Sequence, residues 1–150
     1  MLTVFWDRFG LILLELSALN ITSDTYESSL KTLNEKLRTQ RPNKKKIILL
    51  HDNARPHTAK KIKKLISDLK WELLEHPPYS PDLSPSDYFL FSPLKNYLRG
   101  IRYPNSEELQ FSIRNWFEKQ SLDFFEKGIY KLPERWKSCI SKEGDYFEKK

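Results

Sequence analysis

The sequence is poor in cysteine and glycine, and each shortage excludes a class of site. Its single cysteine, Cys139, allows neither an internal disulfide nor a cysteine-based zinc cluster, and it suits a reducing compartment. Its four glycines form neither a glycine-rich phosphate loop nor a G-x-S-x-G nucleophile elbow. We therefore expect neither a P-loop nucleotide-binding protein nor a serine hydrolase.

Long apolar runs are also scarce, and acidic residues are outnumbered by basic ones. No run approaches the ~20 residues of a membrane span, and the first residues show no signal-peptide pattern, so we expect no membrane partner. The 26 Lys and Arg outnumber the 20 Asp and Glu, which gives a net charge of +6. This balance indicates either a polyanionic partner or a basic surface without nucleic-acid contact.

Apolar residues are frequent enough to indicate a folded protein. They make up 39% of the chain and aromatic residues 13%, which argues against disorder. A chain of 150 residues can bury a single core. We predict one domain, 1–150.

The first forty residues predict a hairpin followed by a helix. The segments Leu2–Trp6 and Leu11–Leu16 are rich in apolar and β-branched residues, and a turn signal with Gly10 lies between them. A helix is predicted from Thr22 to about Gln40, because apolar residues recur there at helical spacing.

The middle of the chain predicts a parallel α/β unit. Ile47–Leu50 is a continuous aliphatic run, typical of a strand covered on both faces. A helix that Thr58 can cap extends to Leu69, and Trp71–Glu75 is predicted as a short strand. Strand, helix and strand in this order favour a parallel pair.

The second half is predicted to be helical. The sequence S-P-S-D, which begins at Ser84, is a strong helix start that places Asp87 in the first turn, and this helix should end before Gly100. Two further helices are expected, one from Asn105 or Ser106 and one over 124–140 with a break near Pro133.

Two carboxylates stand at positions that suit chemistry. Asp52 follows the aliphatic strand, and strand ends in α/β proteins face the ligand crevice. By itself Asp52 also fits a local turn, Asp87 also fits helix capping, and Asp82 fits a turn. The histidines His51, His57 and His76 lack the spacing of a zinc site.

Basic side chains surround Asp52 in sequence. Arg55 shares its loop, and the following helix carries lysines over much of its surface. These lysines fit phosphate contacts, and they equally fit a solvated helix face.

Two blocks resemble the mariner-type transposases. H-D-N-A-R-P-H begins at His51, and Y-S-P-D-L-S-P-S-D-Y begins at Tyr79. The interval between Asp52 and Asp87 matches the spacing of the family's second and third catalytic aspartates. V-F-W-D from Val4, K-L-P-E-R-W from 131 and D-Y-F from 145 are also family-like, so the resemblance covers nearly the whole chain.

The resemblance implies an α/β, ribonuclease-H-like fold and metal-dependent cleavage and transfer of DNA strands in cut-and-paste transposition. In this family three aspartates bind two Mg²⁺ or Mn²⁺ ions, which hard carboxylate oxygens suit. Asp52 and Asp87 are accordingly the expected catalytic and metal-ligating residues. The expected DNA-binding residues are Arg55, His57, Lys60, Lys61 and Lys64. A nuclear location, transposon-end and target DNA, and a possible homodimer are further implications.

The chain also departs from the family pattern. The family's first catalytic aspartate precedes the segment that begins at Val4, and Asp7 matches a different position. We therefore expect a partial catalytic domain that lacks the first central strand and is inactive alone. A non-catalytic DNA-binding or interaction module is the alternative, and a product without a function of its own is a third. The first hairpin strand and Ile47–Leu50 should either close up or leave a gap.

Overall fold

The structure is a computed structural model that describes residues 1–52, 54–77 and 79–141. Asn53, Pro78 and the D-Y-F block at 145–147 lie outside the described residues, as does the polar tail after Ser141. The chain divides into two compact units, one of residues 1–5 with 12–78 and one of residues 6–11 with 79–150. The prediction of a single domain stays a prediction.

Helices dominate the described residues, and the strands are short. The strands are β1 (Leu2–Asp7), β2 (Gly10–Leu16), β3 (Ile48–Leu49) and β4 (Glu72–Leu73). The α-helices are α1 (Ser23–Gln40), α2 (Arg55–Thr58), α3 (Lys60–Asp68), α4 (Phe91–Leu98), α5 (Ser106–Lys119) and α6 (Leu122–Ser141). A 3-10 turn covers Pro81–Leu83, and a π-helical turn covers Ser86–Leu90.

The hairpin and the first helix form as predicted. β1 and β2 pair with each other, and Gly10 takes a positive φ of 119° at the turn, which glycine adopts without strain. Thr22 caps α1 through a reciprocal capping box with Thr25. α1 then buries a stripe of Tyr26, Leu30, Leu33 and Leu37.

The parallel strand pair is confirmed, but it is shorter than predicted. β3 pairs with β4 in parallel, with Ile48 opposite Glu72 and Leu49 opposite Leu73. Leu49 is buried, whereas Ile48 is 54% exposed. The prediction of a strand covered on both faces is therefore wrong at Ile48, because no described element packs over its side chain.

Of the two predicted outcomes, closure of the hairpin strand against β3 within one sheet is not found among the described residues. β1 and β3 belong to separate two-stranded sheets, and no strand of the described residues joins them. The first unit is instead held together by one apolar cluster, in which the buried stripe of α1 meets Leu49 and Ile62, Ile66 and Trp71. This cluster fixes the end of β3, from which the chain runs to Asp52.

The helical segment after Asp52 is divided in two. Thr58 is the last residue of α2, and Ala59, with φ −58° and ψ 145°, precedes α3 without a side-chain cap. The prediction that Thr58 caps this helix is wrong, because the extended backbone at Ala59 moves the helix start one residue onward. α3 still buries Ile62 and Ile66 as its apolar spacing predicts.

The helix that carries Asp87 begins differently from the prediction. The S-P-S-D pattern predicts a cap by its first serine, Ser84, but Pro85 takes the N-cap position and no side-chain cap forms there. Ser84 contributes only its carbonyl oxygen, which accepts hydrogen bonds from the N–H groups of Asp87 and Tyr88. The π-helical turn continues into α4, which ends at Leu98 before Gly100, as predicted.

The last two helices form as the sequence predicts, except that α6 has no break near Pro133. Asn105 caps α5 by accepting from the N–H of Glu108 at 2.8 Å. α6 runs through Pro133 without a break, so the predicted interruption is wrong. A proline inside a helix costs about 3 kcal/mol; Pro133 itself is exposed, and the buried residues of α6, Phe125 and Gly128, lie on its N-terminal side. Among the described residues, no helix has the length and apolarity needed to span a membrane.

Candidate metal and DNA-binding residues

Asp52 lies three residues beyond β3 with its carboxylate largely in solvent. Its side chain is 61% exposed, and Oδ1 accepts a hydrogen bond from the N–H of Ala54 at 3.0 Å. This bond is the local turn interaction that the sequence allowed. It orients one carboxylate oxygen and leaves the rest of the group accessible.

His57 lies directly against this carboxylate. Its Nδ1 is buried and stands 2.7 Å from Oδ1 of Asp52, at the distance of an ion pair but without the angle of a hydrogen bond. The His57 ring stacks on His51 with 5.0 Å between centroids, and it lies 4.1 Å from the ring of Tyr26. His57 thus helps to place Asp52, and its predicted contact with DNA stays a prediction.

The rings of Tyr26 and His51 both pack against His57. The Tyr26 hydroxyl and Nδ1 of His51 are 2.7 Å apart. Burial, with a smaller contribution from the charge of Asp52, raises the pKa of Tyr26 above its usual range. Burial, aided by His57 and His76 and opposed by Asp52, lowers the pKa of His51 to about 4. At neutral pH the tyrosine therefore keeps its proton and can donate it to a neutral imidazole.

Sequence reasoning missed this role of Tyr26. Its place in the apolar stripe of α1 predicted only core packing, and the ring is indeed buried. A buried tyrosine hydroxyl usually finds a hydrogen-bond partner. This rule predicts that the Tyr26 hydroxyl has a partner, but it does not identify His51, which lies 25 residues away in the chain.

Asp87 occupies the second position of the π-helical turn in the other unit. Its N–H donates to the carbonyl oxygen of Ser84 at 2.9 Å. The neighbouring Asp82, predicted as a turn residue, lies in the 3-10 turn and is buried. Its carbonyl oxygen accepts from Nη1 of Arg135 at 3.2 Å. Burial raises the pKa of Tyr88 to about 12, although Arg135 acts in the opposite direction.

The basic side chains after Asp52 differ in their availability. Arg55 begins α2 and is exposed, and Lys60 and Lys64 are exposed on α3. Lys61 is half-buried and forms an ion pair with Asp24. Arg55, Lys60 and Lys64 are thus better placed than Lys61 for contact with a phosphate backbone.

The residues fit a hard divalent cation in their chemistry but not in number. Asp52 and Asp87 offer carboxylate oxygens, the ligands that Mg²⁺ and Mn²⁺ prefer. Within the ranges that the structure describes, no group of three or more His, Cys, Asp or Glu is arranged to hold a metal ion. The stacked histidines likewise form no zinc site there.

A family model described as DDE superfamily endonuclease matches residues 16–110. This match covers more than half of the chain, and it includes both predicted ligand positions. The chain belongs to the DDE superfamily endonucleases and, within them, to the mariner-type transposases.

Individual relatives support this assignment. The chain is 40% identical over 154 residues to the Mariner Mos1 transposase of Drosophila mauritiana. It is 41% identical over 155 residues to the histone-lysine N-methyltransferase SETMAR of Homo sapiens. These alignments cover 99% of this chain but only 45% and 22% of the two relatives. The chain thus spans less than half the length of either curated relative.

Solved structures of Mos1 share the fold. The Mos1 catalytic domain with Raltegravir and Mg matches with a TM-score of 0.94 at 38% identity, over 98% of this chain and 76% of that one. A Mos1 paired-end complex with the left transposon end matches with a TM-score of 0.93 at 39% identity, over 98% of this chain and 44% of that one. The predicted ribonuclease-H-like class is confirmed.

Proposed function

We propose that this chain carries two metal-ligand positions, Asp52 and Asp87, of a mariner-type transposase domain that acts on DNA. The observation that carries the proposal is the carboxylate of Asp52, which is oriented by Ala54 and His57 yet largely open to solvent. The Mos1 catalytic domain has been solved with Mg and also with Mn, which supports these ions as the cofactors. When bound, such ions supply charge stabilisation and an activated oxygen for phosphoryl transfer.

The DNA partner is supported by both the relatives and the surface charge. A Mos1 complex holds a transposon end, and this chain has a net charge of +6 with exposed cations at Arg55, Lys60 and Lys64. We propose that these three side chains contact the phosphate backbone, while Lys61 and His57 contribute mainly through their pairs with Asp24 and Asp52. A nuclear location and a homodimer belong to the same proposal.

We further propose that the chain alone does not cleave DNA. Phosphoryl transfer with two metal ions needs enough ligands to hold both ions in place. The family pattern includes a third aspartate, and no residue of this sequence matches it. Either of the two carboxylates alone would hold a divalent ion weakly. The function that follows is metal-dependent DNA binding by a transposase-derived domain.

The test combines a metal titration with a plasmid nicking assay. Mn²⁺ binding by the 150-residue chain should weaken in Asp52→Ala and in Asp87→Ala, because each change deletes a ligand. Asp68→Ala, which removes an exposed carboxylate at the end of α3, is the matched control and should bind like the wild type. Metal binding that ignores both ligand changes would refute the assignment. Plasmid nicking that disappears in Asp52→Ala would show that the chain is active after all.

The alternative is a DNA-binding or interaction module without a metal role. It is favoured by the lack of a three-ligand group among the described residues together with the exposed lysines of α3. In that case DNA retention would be salt-dependent, but unchanged by EDTA and by Asp52→Ala. Light scattering with and without DNA then decides whether either form is a dimer.

A further inference from the structure

The two residues that flank Asp87 are both anchored to distant parts of their unit. On one side, Nε1 of Trp6 donates to Oγ of Ser86 at 3.0 Å. On the other, the hydroxyl of Tyr88 donates to the carbonyl oxygen of Gly128 at 2.6 Å. Trp6 belongs to β1 and Gly128 to α6, so two separate elements hold the same short turn.

Close packing reinforces the contact with α6. A Cβ atom built at residue 128 would lie 2.5 Å from Cδ1 of Phe89 and 3.0 Å from Cη2 of Trp6. Glycine is therefore the residue that lets the Phe89 and Trp6 rings reach the helix backbone. Trp6 also packs on Phe125, with 5.9 Å between ring centroids.

Arg135 joins the turn to the segment that precedes it. Its guanidinium lies 4.1 Å from the centroid of the Tyr88 ring, and its Nη1 donates to the carbonyl oxygen of Asp82. Arg135 stands in the K-L-P-E-R-W block, and Asp82 and Tyr88 stand in the Y-S-P-D-L-S-P-S-D-Y block. The two blocks are thus in direct contact.

The turn itself needs such support. A π-helical turn is rare, occurs mostly as a single turn and is frequent at functional sites. Here the N–H of Phe91 bonds back to the carbonyl oxygen of Ser86, so one extra residue is accommodated between Ser86 and α4. Asp87 lies within this turn, so the backbone of the turn sets the direction of its Cα–Cβ bond.

We propose that Tyr88 and Ser86, held by Gly128 and Trp6, are positioning residues that fix the direction of the Asp87 carboxylate, with Arg135 securing the Tyr88 ring. This inference rests on the proposed role of Asp87 as a metal ligand. None of these five residues is itself proposed to touch the metal. They act through the backbone of the turn in which Asp87 lies.

The test measures Mn²⁺ affinity and the electron paramagnetic resonance spectrum of Mn²⁺ bound to the 150-residue chain. Tyr88→Phe keeps the ring under Arg135 and deletes only the bond to Gly128. We expect about fivefold weaker Mn²⁺ binding, less than the 10- to 100-fold typical of groups that bond a metal ligand directly. The spectrum of the bound ion should change as well. Ser86→Ala removes the other anchor without altering any ring, and its effect should have the same direction.

Tyr103→Phe is the matched control. It deletes a half-buried hydroxyl bond of 2.9 Å to Ser112 in the same unit, so its cost in unfolding free energy should be similar. Its Mn²⁺ affinity and spectrum should equal those of the wild type. A purely structural role of the Tyr88 hydroxyl would make the two tyrosine variants alike in both readouts.

Asp87→Asn separates failure of this inference from failure of the proposed function. If Asp87→Asn weakens Mn²⁺ binding while Tyr88→Phe and Ser86→Ala leave it unchanged, the positioning role alone is overturned. If Asp87→Asn has no effect on the affinity, Asp87 is not a metal ligand, and both proposals fail together.

Discussion

Next to the Asp52 carboxylate, three rings pack against one another, and each makes a different polar contact. They belong to Tyr26, His51 and His57. Tyr26 is buried and its hydroxyl bonds to His51, while His57 contacts Asp52 itself. Low solvent access keeps His51 neutral, with a pKa of about 4. The folded state therefore favours a neutral His51, and protonation of this imidazole at acid pH lowers the free energy of unfolding.

This low pKa predicts that acid destabilises the metal-free chain. In the unfolded state His51 has its ordinary pKa of 6.5, and in the folded state about 4. Between these values the unfolded chain binds the additional proton, so the free energy of unfolding falls as the pH is lowered from 6.5 to 4. We expect a loss of about 1–2 kcal/mol, because partial solvation of the ring reduces the effect of the full shift.

Urea unfolding in EDTA near neutral pH and at acid pH measures this loss. His51→Gln should flatten the pH dependence over this interval, whereas His76→Gln should largely preserve it, because burial is the largest cause of the shift. If His51→Gln retains the wild-type slope, the acid sensitivity arises from another group.

The cap of α1 gives a second prediction at single residues. Thr22 accepts from the N–H of Thr25, and the Thr25 hydroxyl accepts from the N–H of Thr22. Thr22→Ala should lower the free energy of unfolding by about 1 kcal/mol, since the N–H of Thr25 loses its side-chain acceptor. Thr39→Ala, near the other end of the same helix, is the control in chemical denaturation and should cost clearly less.

At the level of elements, α6 is shaped by its contact with the π-helical turn. Its one glycine, Gly128, lies where a Cβ would collide with the Phe89 ring. Replacing a helical glycine with alanine normally stabilises a helix by up to about 1 kcal/mol. In this helix the local preference for alanine and the packing oppose each other, and packing should prevail.

Gly128→Ala should therefore destabilise the protein by about 1–3 kcal/mol, the usual cost of overpacking. The measurement is thermal or urea unfolding with helix content followed by circular dichroism. The double variant Gly128→Ala with Phe89→Ala tests the cause, because removal of the ring relieves the collision and should bring the effect of Gly128→Ala close to zero or make it stabilising. Equal effects of Gly128→Ala in both backgrounds would contradict this account.

Elements were predictable where their signals are local. The period of apolar residues found α1 and α5, and Asn105 marked the start of α5. The π-helical turn could not be predicted, because S-P-S-D is equally the start of an ordinary α-helix and the anchoring groups, Trp6 and Gly128, are 80 and 40 residues away from their partners. The uninterrupted α6 was missed because the low helix propensity of Pro133 is a local signal, whereas the buried contacts of this helix lie at Phe125 and Gly128.

At the scale of the whole molecule, charge is the feature most directly tied to a partner. The net charge of +6 is concentrated in part on α3, where Lys60 and Lys64 are exposed while Lys61 is paired with Asp24. Electrostatic attraction to DNA releases condensed counterions, so the binding constant falls with salt in proportion to the number of phosphates neutralised. Exposed lysines should therefore contribute more to the salt dependence of DNA binding than lysines paired with a carboxylate.

The double variant Lys60→Gln with Lys64→Gln should reduce the slope of log K against log salt by about 2, close to 1 for each phosphate contact. Lys127→Gln, which removes a lysine paired with Asp123, is the control and should leave the slope nearly unchanged. Fluorescence anisotropy with a labelled duplex at several salt concentrations makes the comparison. An unchanged slope in the double variant would place the DNA contact on another surface.

The short β3–β4 ladder affects how often the backbone that leads to Asp52 opens locally. At the two ends of this ladder, the N–H of Glu72 donates to the carbonyl oxygen of Ile47 and the N–H of Leu74 to that of Leu49, each over 2.9 Å. So short a ladder, with Ile48 open to water on one side, can open locally without global unfolding. Its amide protons should exchange with deuterium faster than those of the buried stripe of α1. A cation bound at Asp52 would slow that exchange, which makes these two amides natural reporters of occupancy.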